Sequence, residues 1–92
     1  MSNPIWQDST TRSRGQENAP ASAWTYENKV LRITVLNDHR HYPGEWVMHC
    51  FSLGIDTLRM KLKADVSPEQ AQETALLIIR NRLTFALNSL PE

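Results

Sequence analysis

The 92-residue chain is poor in several things that most chemistry requires. It has one cysteine, so Cys50 cannot close an internal disulfide, and a reducing, cytoplasmic setting is expected. It has three glycines, Gly15, Gly44 and Gly54, too scattered to build a phosphate-binding loop. It has no net charge: ten Lys and Arg balance ten Asp and Glu. That excludes the dense acidity of a DNA mimic and the general basicity of many nucleic-acid binders, while leaving a local basic patch open. No apolar run approaches the roughly 18 residues of a membrane-crossing helix. The Met1-Ser2 start lacks an apolar signal core, so secretion is not expected.

Catalytic patterns are missing as well. Cys50 lies mid-strand among apolar residues, where a thiol is buried and inert. Ser52 has no Gly-x-Ser-x-Gly setting. Asp38, Glu45, Asp56 and Asp65 fall at strand ends and turns, as turn chemistry requires. His39, His41 and His49 are the remaining soft ligands. His-x-His on a turn lacks the convergent ligands and support that a metal needs. No catalytic residue, metal or cofactor is expected.

What is present is a well-marked junction, Ser67-Pro68-Glu69-Gln70. Ser67 suits the helix N-cap, Pro68 the first turn, and Gln70 the third helical position. The spacing predicts a helix from Pro68 to about Asn88. Its main stripe comprises Ala75, Leu76, Ile79, Leu83, Ala86, Leu87 and Leu90, which should cover a sheet. Ile78 and Phe85 widen that stripe, and Leu77 stands on the polar face. This arc is wider than one small sheet requires: either the helix nestles in a curved sheet, or a second copy or a host protein covers the surplus.

Before the helix come three strand-like segments. Lys29 to Leu36 alternates, with Leu31, Ile33 and Val35 on one face. Glu45 to Ser52 is apolar on both faces and reads as the central strand. Thr57 to Lys63 turns Leu58, Met60 and Leu62 inward and Arg59, Lys61 and Lys63 outward. The 1–23 leader is polar apart from Ile5 and Trp6, and disorder in isolation is expected for it. The expected fold is therefore α+β: a disordered leader, then a compact 24–92 domain with a three-stranded antiparallel sheet packed against one C-terminal helix.

Two sets of binding residues follow. Ile5, Trp6, Trp24 and Tyr26 are large anchors in or near the leader; with Leu77, Ile78 and Phe85 they favour recognition of another protein. Arg59, Lys61 and Lys63, joined by Arg32, form a small basic stripe suited to nucleic acid if aromatic platforms accompany it. Trp24 and Tyr26 are expected to close the open end of the sheet.

The short neutral chain, the polar leader, the βββα core and Ser67-Pro68 before the final helix together resemble the anti-RecBCD (Abc-type) accessory proteins of lambdoid phages. The resemblance implies a non-enzymatic phage protein in the host cytoplasm. Such a protein binds the RecBCD recombination nuclease through its RecC subunit, spares phage DNA ends and redirects recombination. It also implies a cyclophilin-type peptidyl-prolyl isomerase as a partner, with Pro68 as the contact. The alternative is a small nucleic-acid-binding or antitoxin-like domain, since the βββα order is similar to HicB-like antitoxins and double-stranded-RNA-binding domains. The basic helix start of an RNA-binding version is replaced here by Pro68-Glu69.

Overall fold

The helix begins where its cap dictates. Ser67 is extended, and its Oγ accepts from the Gln70 amide at 3.2 Å. Pro68 opens helix α1, Pro68–Asn88. The computed structural model describes residues 5–12, 14, 15 and 17–91. The remaining leader positions, Met1 to Pro4, Ser13 and Gln16, lie outside the described residues.

Ahead of α1 run five strands: β1 (Gln7–Asp8), β2 (Ala23–Glu27), β3 (Arg32–Leu36), β4 (Glu45–Cys50) and β5 (Ile55–Lys63). They form one antiparallel meander in chain order. The α+β class and the single C-terminal helix are as expected. The sheet has five strands, where the sequence predicts three. The two additional strands come from the leader and its boundary. Trp24 and Tyr26 do not merely close the sheet's end; they lie within β2, paired to Val35 and Ile33. The leader, expected to be disordered, supplies the edge at Gln7–Asp8, which pairs with Thr25 and Trp24. The Ser9 amide extends this pairing to the Ala23 carbonyl at 3.0 Å. Backbone hydrogen bonds to an open edge, with Trp6 packed on the core and Thr10 Oγ1 accepting from the Ser22 and Ala23 amides, order this segment. With five strands, β3 takes the middle position, and β4 is an inner strand between β3 and β5.

Strand alternation separates two faces. One face presents Ile33, Val35, Trp46, Met48, Cys50 and Met60, all buried, to α1. The helix answers with Ala71, Ala75 and Ile79, spaced by four and buried. The two alanines leave room for bulky Trp46 and Met48 in the shared core, and the helix backbone approaches β3 and β5. Trp6, Trp24 and Tyr26 pack at the margin of this core. Trp24 meets Trp46 with ring centroids 5.7 Å apart, and Trp6 meets Tyr26 at 5.9 Å.

The expected helix stripe covers the sheet only in its first half. A 21-residue helix is about 31 Å long. Five strands are about 19 Å across, and β2, β3 and β4, of five or six residues, are about 17–20 Å long; nine-residue β5 is longer but is broken by two irregularities against β4. The helix outruns the sheet, and every described residue from Arg80 onward is exposed. Leu83, Ala86, Leu87 and Leu90 therefore project past the core they were expected to cover.

Candidate functional site

Two surfaces stand out, and they lie on different parts of the molecule. The first is the free end of α1. Phe85 is 75% exposed, Leu87 68% and Leu90 65%, with Leu83 and Leu77 also exposed. Ile78 instead packs against the core. Its neighbours Arg80 and Arg82 are the only charges in the second half of the helix. Pro68 sits at the other end of α1, half-buried between exposed Ser67 and Glu69. Its peptide bond is trans.

The second surface is the sheet face opposite α1. Register pairs Thr34 with His49, Leu36 with Val47, and Val47 with Arg59, so these residues share that face. The 37–44 loop folds back onto it. His39 stands 5.9 Å from His49, and Tyr42 stands 5.2 Å from His39, centroid to centroid. The Arg59 guanidinium lies 4.8 Å from the Tyr42 ring centre, in cation–π range. The row ends at Phe51, stacked on His49 with an interplanar angle of 9° and a separation of 5.8 Å. Val47, on this same face, is fully buried.

Local chemistry fixes these side chains. His39 Nδ1 accepts from the His41 amide at 3.0 Å, which holds the loop's turn. His49 Nδ1 hydrogen-bonds the Asp56 carbonyl. Phe51 sits in a short 3₁₀ turn, Phe51–Leu53, which ends at Gly54. Gly54 has φ +74°, a left-handed conformation that glycine adopts without penalty. Arg59 donates two bonds to the Glu45 carboxylate, at 2.7 and 2.8 Å. That pairing holds the Glu45 carboxyl below its ordinary range and raises Arg59.

The sequence-derived basic residues meet this face at both ends. Arg32 borders a hollow of about 330 Å³ together with Thr34, His49, Phe51 and Ser52. Arg59, Lys61 and Lys63 border a second hollow of about 400 Å³ near Gly44 and Glu45. Lys61 has φ +60°, at an irregularity where Glu45 and Val47 pair with Lys63 and Arg59. Between these pairs β5 has three residues, Met60 to Leu62, where β4 has only Trp46, and the bulge turns the strand locally.

The anchors near the leader divide. Ile5 is exposed, whereas Trp6, Trp24 and Tyr26 are half-buried against the protein's own core. Among the described residues, no three of His, Cys, Asp and Glu converge as a metal site. Among the described residues, no helix is long and apolar enough to cross a membrane. Sequence reasoning passed over Phe51, His49 and Tyr42 as a group. Alternation places His49 and Phe51 together, but the return of the 37–44 loop has no local signal.

Comparison of the chain with protein-family models, curated proteins and solved structures yields no match.

Proposed function

We propose that this chain is a non-enzymatic phage protein that binds the host RecBCD recombination nuclease through RecC. By doing so it protects phage DNA ends and redirects recombination in the host cytoplasm. The observation that carries a protein-binding role is the free end of α1. Phe85, Leu87 and Leu90 are all more than 60% exposed on a helix end that the sheet does not cover. An apolar helix face without a partner is a surface prepared for one. The identity of the partner rests on the resemblance to anti-RecBCD proteins.

The same resemblance makes Pro68 the contact for a cyclophilin-type prolyl isomerase. Its position supports this: it is a half-buried residue flanked by exposed neighbours, at the junction of sheet and helix. Enzymes of that class act on X–Pro bonds, whose uncatalysed isomerisation takes tens of seconds or more.

The test is direct binding of the purified chain to RecBCD and to isolated RecC. Wild type is expected to bind both, and a Phe85→Ser, Leu87→Ser double variant to lose that binding while keeping its thermal transition. Absence of wild-type binding to either preparation rejects the nuclease reading. Unchanged binding by the folded double variant removes the helix end from the interface. Sedimentation across a concentration range checks the antitoxin-like alternative, in which the same helix end joins a second copy. A strict monomer excludes it.

A further inference from the structure

We propose that the sheet face opposite α1 binds single-stranded nucleic acid, with Phe51 and His49 as a base-stacking platform and Arg32, Lys61 and Lys63 as phosphate contacts. This surface is separate from the free helix end and stands independently of the nuclease reading.

Phe51 is held in place at the water-facing edge of this surface. It is 71% exposed, yet it is not a loose side chain. It sits in a hydrogen-bonded 3₁₀ turn and lies nearly parallel to His49. The two near-parallel rings have centroids 5.8 Å apart, and Phe51 presents its apolar ring to water. Beside it is a hollow of about 330 Å³ bordered by Arg32, Thr34 and Ser52. A nucleobase matches this setting. Its π-face covers the ring, and its polar edge meets hydroxyls that can both donate and accept.

From Phe51 the planar groups run through His49 and His39 to Tyr42, and Arg59 covers the Tyr42 ring. Centroid steps of 5.8, 5.9 and 5.2 Å place Tyr42 within about 17 Å of Phe51. The track ends in the second hollow, between Arg59, Lys61 and Lys63.

The chain is neutral overall, but this face gathers Arg32, Arg59, Lys61 and Lys63 against Glu27 and Glu45. Glu45 occupies Arg59. Lys61 and Lys63 form no ion pair among the described residues. Arg32 faces Glu27 only at 3.6 Å, with both side chains about two-thirds exposed. Cations at both ends of a ring track complement a phosphate backbone. They also distinguish a nucleic acid from an apolar peptide.

Single strands are favoured over duplex by shape. Exposed Phe51 and the half-buried rings beside it are reached by splayed bases, not by bases paired inside a helix. A purely acidic peptide would use the cations and leave the rings idle.

Fluorescence anisotropy of labelled oligothymidine with the full chain tests the proposal. Binding is expected at low salt and should weaken steeply as salt rises. Phe51→Ala is expected to weaken it about fivefold or more, and Phe51→Trp to retain it. Lys61→Ala with Lys63→Ala should reduce the slope of log affinity against log salt by roughly 1.4, the single-strand value for two lost phosphate contacts. Phe51 is exposed, so circular dichroism should show its variants folded. Leu87→Ser, on the helix end, should bind the oligonucleotide like wild type. The proposal is overturned by no binding at low salt or by indifference to Phe51→Ala. Equal affinity for a duplex or for polyglutamate, which would mark charge-driven attraction alone, also overturns it. So does loss of binding in Leu87→Ser, which would move the site off the sheet.

Discussion

The indole Nε1 of Trp46 donates to the carbonyl oxygen of Val66 at 2.9 Å. This bond joins inner strand β4 to the residue just ahead of the Ser67 cap. Trp46 is fully buried, so the same side chain fills the core and fixes where the helix departs. Trp46→Phe keeps much of the apolar volume but leaves the Val66 carbonyl without its donor. The expected loss is about 1–3 kcal/mol in urea unfolding, the usual cost of an orphaned polar group. An unchanged midpoint would show that the bond contributes nothing to the helix start.

Trp6 reports on the leader. It packs against the core and meets Tyr26 at 5.9 Å, so the leader carries part of the fold. Trp6→Ala is expected to lower stability by roughly 1–3 kcal/mol. Deleting residues 1–23 should cost at least as much, because it also removes β1 from the edge of β2. Thermal unfolding of both variants checks this, and equal transitions in all three proteins would mean that β1 and Trp6 add no stability.

Asp8 gives an acid limb. The Thr10 amide donates to its carboxylate at 2.9 Å and Arg12 at 3.1 Å. Hydrogen bonding from Thr10 first, then from Arg12, lowers its pKa from 3.8 to about 2. The folded value lies below the unfolded one, so the contribution is complete above about pH 4. It is lost as the pH falls toward 2. Asp8→Asn should flatten the fall of the thermal midpoint across that window. The site is exposed, so the effect is small. A wild-type midpoint that does not respond more steeply than the variant would exclude Asp8 as a source of acid sensitivity.

The free helix end separates stability from recognition. Leu87→Ser and Phe85→Ser replace exposed residues, so each should change unfolding free energy by no more than about 0.5 kcal/mol. Binding to the nuclease should nevertheless fall. A large loss of stability in either variant would show that these residues are covered within the protein itself.

Pro68→Ala is expected to preserve α1, since alanine is a strong helix former and Ser67 still caps. Stability should move by no more than roughly 1 kcal/mol. Complex formation with a cyclophilin, followed by titration calorimetry, should be lost. Retained binding would place the isomerase contact elsewhere, and no binding by wild type would remove that partner.

The start of α1 was legible in the sequence because its signals are local. Ser67, Pro68 and Gln70 act within one turn, and the structure places the cap and both helix ends where they are expected. The alternation of Ile33 and Val35, and of Leu58, Met60 and Leu62, likewise sorts side chains within a strand. Tertiary structure decided what depends on distant partners. Gln7–Asp8 has no strand signal of its own and exists because β2 offers an unpaired edge. His39 and Tyr42 reach His49 and Arg59 because the 37–44 loop folds back over the sheet. Leu83 and Leu87 continue a stripe that periodicity alone assigns to the core. They are exposed because the helix is longer than the sheet beneath it. Periodicity fixes the direction in which a side chain points, whereas the reach of the neighbouring element determines whether anything is there to meet it.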